Sequence, residues 1–317
     1  MYGCANSFSH SGGCEIGPRP IDLHIKAIRK MGVKVHDAHH GFIYCEADKL
    51  RGADIQLDFP SVGATENVML AAVFAEGDTI IRHAAREPEI VDLQKFLIGM
   101  GVEITGAGTS IIRIRGSNKR LKDVEHTMIP DRIVAGTYLI AAGMTGGDIT
   151  LRNVLAEHII PVIGYLRECG CRINTKKTTM HIFGPTRPKS IDIIRTLPYP
   201  GFPTDMQSQF ISLLSIARGT SIFVETIFEN RYKHVEELMR MGADIKLEGR
   251  LAVIKGVKEL TGATVTARDL RGGAALVLAG LVAEGTTIVS GISHIDRGYE
   301  NIEEKLSKVG ALITREN

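Results

Sequence analysis

Hydrophobic and polar positions alternate along this chain in one recurring order. Apolar residues at Ile90, Leu93, Leu97 and Met100 fall at helical spacing, so that stretch is read as a helix with one apolar face. Ile302, Leu306 and Val309 recur in the same way. Each stretch runs into a glycine, the residue that closes a helix most readily because it tolerates left-handed backbone. Beyond the glycine the polarity alternates, as at 102–105 and Ile111–Arg115, which predicts two short strands joined by a turn.

The order has a period. Helix-closing glycines stand at Gly32, Gly101, Gly170, Gly242 and Gly310, at intervals of 69, 69, 72 and 68 residues. A second set lies between a small-residue stretch and a β-branched run, at Gly77, Gly147, Gly219 and Gly285, at intervals of 70, 72 and 66. Each first helix, as at 67–75 or 207–217, is followed by a β-branched strand, as at 79–82 or 287–290. The unit reads helix, strand, helix, strand, strand. Four first halves and five second halves are present. The chain starts inside a unit, with a second half at 21–32, and ends on a single strand at 311–314. With six units as the full count, this predicts that about one and a half units, on the order of 100 residues, are missing at the N-terminus. The units fall into two expected domains, 1–129 and 130–317, the latter with three repeats of which the last is unfinished. The polar, aperiodic stretch 117–128 marks the junction. The segment 184–203, with five prolines, reads as a shaped loop.

Composition narrows the class. The 317 residues allow a sizeable core, and 44% apolar with 23% charged residues is ordinary globular usage. The 38 basic and 36 acidic residues leave a net charge of +2, which does not suggest a nucleic-acid partner. The apolar run 274–283 is about half of the ~20 residues a membrane helix needs, and the N-terminus has no signal-peptide pattern. Five cysteines without scaffold spacing fit a reducing cytoplasm. The 34 glycines and absence of tryptophan suggest many tight turns.

Candidate chemistry gathers at the first-helix starts. Asp131, Asp205 and Asp269 stand 16, 14 and 16 residues before Gly147, Gly219 and Gly285. They read either as structural N-caps or as acids facing a ligand. The equivalent position before Gly77 is Ser61, in PSVGAT, a helix start without an acid that can receive an anion such as phosphate. Arg132, Arg231, Arg271 and Arg297 lie at or near helix starts, and arginine forks match carboxylate and phosphate. Cys14, in SGGCEIGPRPIDL, is in a loop with Arg19 five residues on; it reads as a reactive thiol or an incidental one. His36, Asp37, His39 and His40 read as a solvated turn. Cys169 and Cys171 lack a second pair for zinc. No Walker loop is present, and GAGTS at 106–110 reads as a hairpin, not a dinucleotide fingerprint.

The segments GGCEIGPRPIDLH, PSVGATEN, AAREPEIVD, PDRIVAGTYL, FPTDMQSQF, FENRYKHVEEL and HIDRGYENIEEKL span nearly the whole chain. In them the sequence resembles the UDP-N-acetylglucosamine enolpyruvyl transferase (1-carboxyvinyltransferase) family. The resemblance implies an α/β fold, a two-domain inside-out barrel of three such repeats each. It implies a cytoplasmic transferase that joins the enolpyruvyl group of phosphoenolpyruvate to the 3-hydroxyl of UDP-N-acetylglucosamine and releases phosphate, the first committed step of peptidoglycan synthesis. It implies no cofactor, metal, nucleic acid or membrane. By motif, Cys14 is the proton donor and the site of fosfomycin modification, Arg19 clamps phosphoenolpyruvate, and Asp205 takes or orients the hydroxyl proton. Arg271 and Arg297 hold the phosphoenolpyruvate anion, with Arg297 counted as catalytic. Arg19, Pro20, Ile21, Asp22 and Leu23, together with Ser61, Val62 and Gly63, hold the uridine diphosphate, and Ile227 lines the sugar pocket. The family closes its two domains on the sugar nucleotide, with the Cys14 loop as a lid.

The chain departs from the family in two places. Members begin with a Lys-Asn pair, and carry an arginine further on, that have no counterpart here. Phe59 stands where some relatives carry a basic residue. The alternative reading is a truncated remnant that binds a UDP-sugar without catalysis. A shikimate-specific enolpyruvyl transferase is less favoured, because that relative lacks the loop cysteine and the RPIDL stretch.

Overall fold

The computed structural model describes residues 4–9, 21–37, 42–117 and 120–316. They fall into two compact units, one of residues up to Ile129 and one starting at Pro130.

The first unit runs β1 (Cys4–Ser9), α1 (Asp22–Lys30), β2 (Lys34–Asp37), β3 (Phe42–Ala47), β4 (Asp54–Gln56), α2 (Val62–Ala72), β5 (Asp78–Arg82), α3 (Pro88–Gly99), β6 (Glu103–Thr105) and β7 (Ile111–Arg115). One sheet has the order β1-β3-β2. The other is β4-β5-β7-β6, parallel at its first pair and antiparallel elsewhere. The strand pattern puts Ile81, Ile104, Ile112 and Ile114 inward, where they meet the Ala64, Val68, Met69 and Ala72 face of α2. Pro88 opens α3, where its missing N–H costs nothing. Gly101 then turns the chain at φ 95°, a conformation that residues with a Cβ adopt only under strain.

The second unit runs α4 (Arg132–Thr145), β8 (Asp148–Arg152), α5 (Ile160–Glu168), β9 (Arg172–Lys176), β10 (Thr179–Phe183), β11 (Ile193–Arg195), α6 (Gln207–Ser215) and β12 (Thr220–Val224). It continues with α7 (Lys233–Arg240), β13 (Asp244–Glu248), β14 (Leu251–Lys255), β15 (Leu260–Thr261), β16 (Thr264–Thr266), α8 (Leu270–Gly280), β17 (Ala283–Glu284), β18 (Ile288–Ser290), α9 (Ser293–Asp296) and α10 (Ile302–Ser307). The sheet orders are β8-β10-β9 and β11-β12-β14-β13, with parallel pairs β15-β17 and β16-β18. Helices α4, α6 and α8 are buried on nearly every face and pack on one another; α4 and α8 are mostly small and apolar, while α6 buries polar residues, of which Ser212 and Ser215 donate to the Ala275 and Ile211 carbonyls. They meet sheets at β10, β14 and β18 respectively. Their N-termini are the three aspartate-marked starts of the sequence.

Several expected elements differ. The helix expected at 67–75 spans Val62–Ala72; it opens at Ser61, the helix start read from PSVGAT, where Ser61 caps it through Ala64 N–H. Around Gly147, the left-handed residue is its neighbour Gly146 (φ 66°), which closes α4. The proline-rich loop contains β11, paired in parallel with β12. Residues 311–314 form no strand: no described residue pairs with them, and Leu312 is fully exposed. Val309 is likewise exposed, whereas Ile302 and Leu306 are buried. His36 lies in β2; Asp37 is its last residue, and His39 and His40 lie outside the described residues.

Candidate active site

Asp131 and Asp269 are true N-caps. Asp131 accepts from the N–H groups of Ile133 and Val134, at 2.8 and 2.9 Å. Asp269 accepts from Arg271 and Gly272, at 3.0 and 2.8 Å. Asp205 stands at the corresponding start yet does not cap. It lies in a short 3-10 turn, Thr204–Met206, that leads into α6. Its carboxylate turns instead to arginine: Arg231 Nη2 donates to Oδ1 at 2.5 Å, and Arg271 Nη2 stands 3.5 Å from Oδ2.

The arginines are set by their surroundings. The Arg231 side chain is 3% exposed and that of Asp205 is 42% exposed, so a buried guanidinium holds a carboxylate that reaches solvent. Burial is the largest influence on Asp205 and pushes its pKa up. The charges of Arg231 and Arg271, the Arg231 hydrogen bond and the charge of Arg132 together outweigh it and hold the carboxyl below its ordinary value.

Arg271 is held from behind. Its Nη1 donates to the Tyr299 hydroxyl at 3.2 Å. That oxygen also accepts from Gln209 Nε2 at 3.2 Å and lies 2.9 Å from Thr137 Oγ1. Thr137 in turn donates to the Ile133 carbonyl at 2.9 Å. With two donors aimed at it, the Tyr299 hydroxyl is left to donate to Thr137. The chain of donors is therefore fixed, and it runs through α4, α6, α8 and the segment between α9 and α10. Arg297 is exposed at the end of α9, two residues from Tyr299. Ile227 is half-buried in the turn after β12.

His234, on α7, sits buried close to Asp269 and Arg231. Neither ring nitrogen reaches a hydrogen-bond partner among the described residues, although the ring nears the Arg231 carbonyl. Burial, the largest cause, lowers its pKa; the Asp269 charge opposes this and the Arg231 charge adds to it. The imidazole thus stays neutral in the fold, while an unfolded histidine takes a proton near pH ~6.5. Stability is full above that pH and falls as pH drops below it. His234→Leu removes this proton linkage. Its stability relative to wild type is expected to improve by about 2 kcal/mol between pH 7 and 5, read as thermal midpoints. Parallel pH dependence in the two proteins would exclude the linkage.

The first unit supplies a helix start. Ser61 caps α2, so the Val62 and Gly63 N–H groups head the helix with no intrahelical carbonyl to bond. The His24 ring lies against Gly63, where an added Cβ would be 3.2 Å from Cε1, and His24 Nδ1 contacts Asn67 Nδ2 at 2.5 Å. Ile21 is the N-cap residue of α1, followed by exposed Asp22 and half-buried Leu23. Cys14, Arg19 and Pro20 lie outside the described residues. Cys169 and Cys171 are buried and their thiols are pushed up, Cys171 to about 11, as inert core cysteines are. No group of potential metal ligands occurs among the described residues, and no described helix is long and apolar enough to cross a membrane.

Comparison with solved structures identifies the class. The enolpyruvyl transferase NikO from Streptomyces tendae matches 97% of this chain and 73% of its own, with a TM-score of 0.85 at 22% identity. EPSP synthase from Acinetobacter baumannii matches 98% and 75%, with a TM-score of 0.73 at 18% identity. The fold is therefore that of the enolpyruvyl transferases. The family model for EPSP synthase (3-phosphoshikimate 1-carboxyvinyltransferase) matches residues 2–306. UDP-N-acetylglucosamine 1-carboxyvinyltransferase 2 of Caldanaerobacter subterraneus is 60% identical over 307 residues, 97% of this chain and 73% of the relative. UDP-N-acetylglucosamine 1-carboxyvinyltransferase 1 of Carboxydothermus hydrogenoformans is 57% identical over 306 residues, 96% of this chain and 72% of the relative. The chain belongs to the EPSP synthase family and, within it, to the UDP-N-acetylglucosamine 1-carboxyvinyltransferases.

Proposed function

We propose that this protein transfers the enolpyruvyl group of phosphoenolpyruvate to the 3-hydroxyl of UDP-N-acetylglucosamine and releases phosphate, a cytoplasmic step of peptidoglycan synthesis. The observation that carries the reading is Asp205: alone among the three helix-start aspartates it is turned from capping toward two arginines, in a chain 60% identical to a relative of that name.

The chemistry needs a C–O bond from the sugar oxygen to the enol carbon, a proton on the methylene, and then loss of that proton and of phosphate. Arg271 and Arg297 hold the phosphoenolpyruvate anion, and cations fixed in advance stabilise charge without reorganising. Asp205 accepts the hydroxyl hydrogen, Cys14 supplies the methylene proton, and Arg19 clamps phosphoenolpyruvate. The diphosphate lies at the α2 start on Ser61, Val62 and Gly63, where helix polarity favours anions. Residues Arg19, Pro20, Ile21, Asp22 and Leu23 complete the nucleotide contacts, and Ile227 walls the sugar. Two inside-out barrels of repeats, 1–129 and 130–317, belong to the same reading, supported by left-handed glycines at Gly32, Gly101, Gly170, Gly242 and Gly310. The Cys14 loop acts as the lid and takes fosfomycin.

The test is phosphate release from phosphoenolpyruvate by the folded chain, with and without UDP-N-acetylglucosamine. Sugar-dependent release is expected. Sugar-nucleotide binding without release would replace the transferase reading with a binding-only one.

A further inference from the structure

We propose that Glu225 is the positioning residue for the acceptor-sugar half of the site, a role that rests on the function proposed above. Glu225 follows β12 and is 0% exposed. Its Oε1 accepts from Thr196 Oγ1 at 2.9 Å, Ile227 N at 2.8 Å and Phe228 N at 3.1 Å. Its Oε2 accepts from Thr204 Oγ1 at 2.9 Å. All four donors are neutral. An ionised carboxylate only accepts, so four converging donors match it and no other side chain of that size. A buried acid is costly to keep unless its hydrogen bonds are complete, and here they are complete without a cation.

The four donors come from two loops, and each loop carries site residues. Thr204 directly precedes Asp205. Ile227 is the proposed sugar wall. The Phe228 ring lies under the Arg231 guanidinium, 5.3 Å from ring centre to its carbon, and Arg231 bonds Asp205. The loops are tied once more by Thr226, whose N–H donates to Thr196 Oγ1 at 2.8 Å and whose hydroxyl donates to the Thr196 carbonyl at 2.6 Å. Glu225 therefore fastens both partners of the Asp205–Arg231 pair, one through Thr204 and the other through Phe228, while touching neither. Tilting either loop misplaces the carboxylate against the hydroxyl it must meet, and misplacements of this kind are expensive in turnover.

Three variants separate positioning from mere support. Glu225→Met strips all four donors of their acceptor. Glu225→Gln restores an oxygen for Ile227 and Phe228. Thr204→Val cuts only the tie to the Asp205 turn. Folded Glu225→Met is expected to weaken UDP-N-acetylglucosamine binding and lower kcat, each by about tenfold or more. The KM for phosphoenolpyruvate, held by Arg271 and Arg297, should stay within about threefold. Glu225→Gln should recover the sugar affinity, and Thr204→Val should lower kcat with that affinity unchanged. Amide exchange at Ile227 and Phe228 reads the same contact without turnover: fast in Glu225→Met, slow in wild type and Glu225→Gln. Unchanged protection in Glu225→Met overturns the proposal, as do losses in all constants that track the thermal midpoint without rescue by glutamine. If Glu225→Met does not fold, wild-type kcat in both Glu225→Gln and Thr204→Val overturns it. A wild-type chain that neither binds the sugar nucleotide nor releases phosphate removes the function reading instead, and the exchange data still decide the role of Glu225.

Discussion

Asp205→Asn is expected to lower turnover by about 10²–10⁴-fold, the range for loss of a positioned proton acceptor, while sugar-nucleotide affinity changes little. The substitution keeps size and shape and removes one charge. In the unliganded protein that charge is shared between Arg231 and Arg271, which hold the carboxyl below its ordinary pKa. A carboxylate in that state is a weak base. When the phosphoenolpyruvate anion engages Arg271 it takes over part of that arginine's charge, and the proton affinity of Asp205 rises as the substrate arrives. Asparagine cannot follow, since its amide does not take a proton at these pH values. The same change leaves the buried Arg231 guanidinium without its carboxylate. That costs about 1–3 kcal/mol, less than the 3–5 of a fully buried pair because Asp205 opens to solvent. The sign with pH is fixed. A depressed acid contributes fully above its unfolded pKa near ~3.9 and loses the contribution as pH falls through its lower folded value. Wild type should therefore exceed Asp205→Asn in thermal midpoint at pH 7, with the two converging only below about pH 4. Single-turnover phosphate release measures the chemical loss. Turnover within about threefold of wild type would remove Asp205 from the proton path.

What the sequence disclosed follows the range of the interactions involved. Asp131 and Asp269 cap helices that begin one residue later, so the residue type beside an apolar run was enough to find them. The mixed α/β content and the enolpyruvyl transferase fold were legible because glycine spacing and motif segments are local signals repeated along the chain. By its place in the repeat Asp205 resembled its two counterparts, and only the FPTD motif set it apart; its turn from capping depends on Arg231, 26 residues away, whose side chain is oriented by burial that no period reveals. The support of Arg271 lay further out of reach, since Tyr299 and Thr137 meet across 162 residues. Glu225 did leave a signal. Ser221 and Phe223 are the buried residues of β12, and the next position of that parity is an acid. An acid on the inward face needs a set of donors, and these were waiting in two loops. β11 was missed for the opposite reason: three residues among five prolines carry too little pattern, and they pair only because β12 offers a parallel edge.

Arg271→Lys is expected to raise the KM for phosphoenolpyruvate by about 10²-fold, nearly as much as removing the side chain, although the charge is kept. The argument is geometric. Arg271 spends two different nitrogens on two different partners: Nη1 on the Tyr299 hydroxyl and Nη2 toward Asp205. The guanidinium also lies over the Tyr299 ring, 5.5 Å from its centre, where a flat cation packs better than a compact ammonium. A lysine ends in one nitrogen and cannot reach both. If it turns to Asp205, the Tyr299 hydroxyl loses a buried donor, at about 1–3 kcal/mol. If it turns to Tyr299, Asp205 loses a counter-charge and the anion loses its fork. The loss belongs to phosphoenolpyruvate, so the KM for the sugar nucleotide should stay within about threefold. Tyr299→Phe separates the two halves of the argument: it keeps the ring under the guanidinium and removes only the hydroxyl. Its KM should rise by about tenfold, one charge-assisted hydrogen bond, between wild type and Arg271→Lys. Steady-state kinetics with each substrate varied in turn measure both. An Arg271→Lys enzyme with wild-type KM for phosphoenolpyruvate would show that charge alone holds the anion and that the Tyr299 network is only packing.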